Sequence, residues 1–180
     1  MRPDSARSGP AGETRTVVLG LGNPILSDDA VGLAVAAELE RRLAAAPLPG
    51  VEVRTTARGG FELIDLLTGF DRVILVDCLA VPDPVPGRIR RLGLDDVSGS
   101  ARLVGGHEIS VGAAFQLAAQ VAIPMPRDVT IYAVEAGDAV TFAEALTPPV
   151  AAAVIELADR IWAELNGFAG DAAGPSLGES

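Results

Sequence analysis

Two adjacent aspartates, Asp28 and Asp29, a third aspartate, Asp77, and the single histidine of the chain, His107, are the side chains whose types could do chemistry together. Asp28 and Asp29 close a stretch in which an apolar run breaks at Gly20 and Gly22 and passes through Asn23 and Pro24 into the paired acids. Asp77 follows the aliphatic run Val73, Ile74, Leu75 and Val76, and His107 stands within Gly105-Gly106-His107-Glu108. Asp29, Asp77 and His107 together offer two carboxylates and one imidazole. Such an oxygen and nitrogen donor set suits zinc, nickel or another borderline dication and leaves coordination positions for water or a substrate group. Its composition does not choose among those metals.

These residues are far apart in the chain, so only a fold that gathers strand ends can unite them. Residues 17–21 predict a buried first strand, and Val31, Val35, Leu39 and Leu43, spaced by four, predict a helix that stops before Pro47 and Pro49. Residues 51–55 alternate as a second strand, 61–67 read as a short helix after Gly59-Gly60, and 73–76 suit a central parallel strand closed by Asp77. Pro82, Pro84, Pro86 and Gly87 make a turn-rich connection, and 87–92 predict an edge strand whose arginines point to solvent. A helix over 109–121, a strand over 129–134 and a last helix opened by Pro148-Pro149 and running through Val154, Leu157 and Ile161 complete the pattern. Strands alternating with helices predict a three-layer α/β sandwich, whose carboxyl edge is where open parallel sheets collect ligand-binding loops.

Each candidate also has a purely structural reading. Asp28 and Asp29 fall at a helix start, where a carboxylate caps free N–H groups and is favoured by the helix dipole, and Ser27 could cap as well. Asp77 could accept N–H bonds from a neighbouring turn, and a loop histidine such as His107 is commonly a solvated residue. Gly20 and Gly22 lack the third glycine of a dinucleotide loop, and the acids that follow would repel a pyrophosphate. Cys78 at the end of a buried strand reads as packing, and Ser27 and Ser110 lack the setting of a nucleophile elbow.

The 180 residues, 49% of them hydrophobic, suffice for one full core, and a formal charge of −10 argues against nucleic acid and against adhesion to a membrane. No apolar run approaches the roughly 18 residues of a membrane span. One cysteine allows no internal disulfide, so the expected compartment is the cytoplasm. Residues 1–14 read as a disordered extension, 15–166 as the folded domain and 167–180 as a disordered tail.

The run from Gly20 through Asn23-Pro24-Ile25-Leu26-Ser27-Asp28-Asp29 to Val31-Gly32 resembles the opening motif of the hydrogenase maturation endopeptidases, the processing proteases of nickel-iron hydrogenases. Further matches follow in the same order along nearly all of 15–166. Val73-Ile74-Leu75-Val76-Asp77-Cys78 is similar to the family's second acidic strand end, and Gly106-His107-Glu108-Ile109-Ser110 to its histidine loop. Tyr132-Ala133-Val134-Glu135 and Leu146-Thr147-Pro148-Pro149-Val150 resemble its last strand and helix start. The resemblance implies a twisted, mostly parallel five-stranded sheet between helices, with Asp29, Asp77 and His107 as catalytic and metal-site residues. It implies removal of a C-terminal peptide from the large-subunit precursor of a nickel-iron hydrogenase after nickel insertion. The nickel would then belong to the precursor, with zinc or cadmium as other ions the site could take. With no serine triad or catalytic cysteine evident, a metal bridged between the two proteins that positions the scissile segment and activates a water is the mechanism expected, with Glu108 and Glu135 as groups that could serve in a second shell or as a proton acceptor.

The family commonly has Gly-Gly-Thr after its second strand, whereas this chain has Gly59-Gly60-Phe61, a change that bears on precursor choice. Two rival readings remain. A checkpoint protein that binds the nickel-loaded precursor without cutting it would need the same residues. Gly20-Leu21-Gly22-Asn23-Pro24 also resembles the start of peptidyl-tRNA hydrolases, but those need a histidine soon after that motif, and the acidic composition opposes tRNA.

Overall fold

The computed structural model describes residues 14–57, 59–97 and 111–172. Five strands, β1 (Thr16–Leu21), β2 (Val51–Thr56), β3 (Arg72–Leu79), β4 (Ile89–Leu92) and β5 (Asp128–Glu135), form one sheet in the order β2-β1-β3-β5-β4. All neighbours are parallel except β4, which runs antiparallel to β5 at the edge. The helices are α1 (Val31–Ala45), α2 (Phe61–Leu67), α3 (Leu94–Val97), α4 (Val111–Gln120) and α5 (Pro148–Ala172). The expected three-layer α/β sandwich with a mostly parallel five-stranded sheet is the observed architecture.

Alternation along the central strands divides the core in two. Val18, Ile74, Val76, Cys78 and Val134 face α1 and α5, packing on Val35, Leu39, Leu157 and Ile161. Val17, Leu19, Val73, Leu75 and Ile131 face the other way, onto Leu63 and Leu67 of α2 and Ala114 and Ala118 of α4. With both faces covered, β1 and β3 read as continuous apolar runs, which is why periodicity alone located them.

The first turn of α1 lies on backbone. A Cβ at Gly32 would stand 2.2 Å from the Leu21 carbonyl oxygen and 2.4 Å from that of Val76, and one at Gly20 would stand 2.3 Å from the Gly32 oxygen. This close approach needs hydrogen in place of a side chain on both partners. It holds the chain just before α1, where the acids lie, against the ends of β1 and β3.

Several boundaries differ from the sequence reading. β3 extends through Asp77 to Leu79, so Asp77 is a strand residue, paired with Ala133. The arginines of β4 do not simply point to solvent: Arg90 pairs with buried Glu135, and Arg91 with Thr130 and Glu164. α5 continues six residues past Asn166, so 167–172 are helix rather than tail. Phe168 explains the extension, since its ring packs against the α1/α5 core and receives the Arg72 guanidinium at 3.5 Å from its centroid. Residues 1–13 and 173–180 lie outside the described residues, as does the start of the helix expected from Ile109. No helix among the described residues is long and apolar enough to cross a membrane.

Candidate functional site

Asp28, Asp29 and Asp77 are all buried at the carboxyl edge of the sheet, the first two in a single 3₁₀ turn (Asp28–Ala30) between β1 and α1. Burying carboxylates is costly unless hydrogen bonds or cations compensate, and the two neighbours in the turn meet that cost differently.

Asp28 is fully enclosed, and its carboxylate accepts four hydrogen bonds from residues far along the chain. Oδ2 takes the N–H groups of Gly137 and Asp138, both at 2.8 Å, and the Thr147 hydroxyl at 2.9 Å, while Oδ1 takes the Thr147 N–H at 2.7 Å. Its own N–H donates to the Asp138 carbonyl. Asp28 therefore clamps the loop before α1 to the loop after β5 and to the residue that precedes α5.

Asp29 turns toward the strand end, where its Oδ2 accepts the Asn23 N–H at 2.9 Å and fixes the tight loop that leaves β1. The two acids do not cap their own helix, contrary to the simple helix-start reading, and no side-chain cap bond forms at Ser27, whose hydroxyl donates to the Ala145 carbonyl instead. The turn is held by tertiary partners instead.

Asp77 reaches the same edge from β3, and its Oδ1 accepts the N–H of Cys78 at 2.7 Å. Burial pushes its carboxyl well above the usual aspartate range. The Cys78 N–H opposes that rise, and the negative charge of Asp29 adds to it. Asp29 and Asp77 thus lie close enough to repel one another. Two mutually repelling buried carboxylates fit a dication, which would relieve the repulsion. Cys78 is buried in the α1/α5 core, and burial followed by the charges of Asp77, Asp29 and Asp28 drives its thiol far above the ordinary range, the opposite of what a nucleophilic cysteine needs.

His107, the third predicted ligand, lies outside the described residues, as does Glu108. The chain resumes at Val111, the start of α4, on the face of the sheet shared by α2. Among the described residues no group of three His, Cys, Asp or Glu side chains is disposed to hold a metal ion. The structure therefore brings together Asp29 and Asp77 of the predicted set.

Two residues of this edge take structural roles that the sequence reading did not give them. Thr147 was visible as part of a helix start but not as a partner of Asp28. Glu135, fully buried at the end of β5, accepts the Val85 N–H and the Arg90 Nε–H, both at 2.7 Å, and has Arg88 at 3.7 Å. Burial alone would raise its carboxyl, but these partners outweigh it and hold the group below the usual glutamate range. Glu135 anchors the proline-rich connection from β3 to β4. Its one sequence signal was a charge directly after the apolar run of β5.

Compared with known proteins, residues 33–164 match the family model of the hydrogenase maturation proteases (HycI). The Hydrogenase 2 maturation protease of Escherichia coli (strain K12) is 32% identical over 84 residues, a match spanning 46% of this chain and 49% of that protein, about half the length of each. The fold is similar to the hydrogenase maturating endopeptidase HybD from E. coli, with a TM-score of 0.69 and 23% identity over 86% of this chain and 93% of that one. A solution structure of an endopeptidase from E. coli gives the same TM-score at 26% identity, with the same coverage of both chains.

Proposed function

The chain belongs to the hydrogenase maturation protease family, and from that premise we propose that it is an endopeptidase that removes a C-terminal peptide from the large-subunit precursor of a nickel-iron hydrogenase once nickel is in place. The observation that carries this reading is the pair of buried acids, Asp29 and Asp77, drawn together from β1 and β3 at the ligand-binding edge of the sheet. A dication in the substrate would relieve the repulsion between these two carboxylates.

In this reading Asp29, held by the Asn23 N–H, and Asp77, held by the Cys78 N–H, are oriented before the precursor arrives. His107 supplies the third donor. Burial and the charge of Asp29 raise the Asp77 carboxyl, and a cation engaging it would act in the opposite direction. A dication at this position polarises a carbonyl and orients the scissile segment. The precursor's nickel is the ion that fits the reading, and zinc or cadmium would compete for the same donors.

The test is incubation of the purified protein with nickel-loaded and nickel-free precursor, followed by intact mass spectrometry. Loss of a C-terminal peptide from the loaded form alone is the expected result. A stable complex with no peptide released would replace the protease with a checkpoint protein that binds the loaded precursor.

A further inference from the structure

Of the seven large apolar side chains exposed among the described residues, five lie at the carboxyl edge of the sheet. Ile25 follows β1, Phe61 follows β2, Val85 follows β3, and Val140 and Phe142 follow β5. The remaining two, Val121 and Ile155, stand at the end of α4 and on α5. Single exposed apolar residues need no explanation, but a concentration on one rim marks an interaction surface.

Part of this rim is built. The loops after β1 and β5 run side by side: the Ser27 N–H donates to the Thr141 carbonyl at 3.0 Å, the Ala143 N–H donates to that of Ile25 at 3.2 Å, and Leu26 bridges to Phe142. The ribbon that displays Ile25 and Phe142 is therefore continuous with Asp28 and Asp29, and the Asp28 clamp secures it from below.

The exposed charge of the described rim residues is mostly negative. Glu62, Asp83 and Glu144 are exposed on the same loops and the start of α2, with Asp138 partly exposed beside them. Among the described residues of these loops the one cation is Arg88, which faces buried Glu135. Such a surface complements a partner that is apolar and cationic.

We propose that this apolar, acidic rim docks the precursor as an extended segment carrying apolar and cationic side chains, laid across the carboxyl edge so that its scissile region reaches Asp29 and Asp77. The assignment rests on the endopeptidase reading for its partner and names the surface that reading leaves open. Phe142 and Val140 are its anchors: they are 77% and 80% exposed and so have little to do with holding the fold.

The experiment compares the wild type, the double variant Phe142→Ser/Val140→Ser and Ile155→Ser, whose position on α5 is remote from the rim. It measures the Kd for the intact large-subunit precursor, together with kcat and KM for peptide release. Kd and KM are expected to rise at least about fivefold in the double variant, with kcat within about twofold, as loss of uniform binding requires. Ile155→Ser is expected to match the wild type, and added salt to weaken wild-type binding. Unchanged Kd in the double variant, or an equal rise in Ile155→Ser, overturns the docking surface. Absence of peptide release overturns the endopeptidase reading instead, and the Kd comparison still decides the surface.

Discussion

Replacing Asp28 should damage the fold more than replacing either of the other two acids of the candidate site. The carboxylate holds three backbone N–H groups and one hydroxyl in a place without solvent. In Asp28→Asn the amide nitrogen is best placed at Oδ1, where it meets one donor, the Thr147 N–H, while the retained oxygen still accepts the other three. One bond is then replaced by a donor facing a donor, and the others fall from charge-assisted to neutral strength, roughly half as strong. With about 1–3 kcal/mol for a buried group left without a partner, and bonds to a charged acceptor worth about 1.5–3 kcal/mol each, partial relaxation leaves an expected loss of about 2–4 kcal/mol. For a domain of this size that corresponds to a fall in Tm of roughly 4–16 °C. Equilibrium denaturation should show the midpoint moving at constant m-value, and hydrogen exchange should accelerate at the amides of Gly137, Asp138 and Thr147. A loss below about 1 kcal/mol, or unchanged protection at those three amides, would refute the clamp as the element that joins the two loops.

Asp77→Asn should abolish peptide release while leaving the protein at least as stable as wild type at neutral pH in a chelator. The raised carboxyl means that the folded state binds a proton more tightly than the unfolded chain, so wild-type stability falls as pH climbs above the usual aspartate range, and the amide removes that decline. Denaturation curves at several pH values check the slope; peptide loss equal to that of folded Asp28→Asn would mean that Asp28, not Asp29, is the reacting acid of the pair. Gly32→Ala should cost about 3 kcal/mol or prevent folding, because its methyl meets two carbonyl oxygens; soluble yield and thermal melting read this directly. Glu135→Gln should release the Val85 amide to faster exchange, and it should remove a stabilisation that the wild type has above the glutamate range and loses as pH falls through the lowered value.

The sheet was legible because β1, β3 and β5 are buried on both faces, and Val73 to Val76 could hardly be anything but a central strand. The acid pair was legible as chemistry, and Asp29 and Asp77 do converge. The structural roles of Asp28 and Glu135 were not legible, for a shared reason. Their partners are backbone amides and side chains as much as 119 positions away, and no local pattern announces a bond to a main-chain N–H in another loop. The length of α5 was missed because 167–172 contain two glycines and several small residues, and the contacts of Phe168 decide the matter against local propensity. The order of the site's residue types could be read, and the resemblance, rather than any local pattern, singled out Asp29 of the pair; that Asp28 is the clamp of the architecture could not be read, since both are aspartate and adjacent.

The bond between Asp28 and Thr147 also sets a timetable for synthesis. At typical elongation rates of about 5–20 residues per second, roughly 6–24 s separate the making of these two residues. Throughout that interval the nascent chain carries Asp28 without the amides that enclose it, so the neighbouring Asp29 has no fixed setting. The acid pair can be assembled only after the start of α5 has left the ribosome. While it is still being made, the protein therefore presents no finished acid pair.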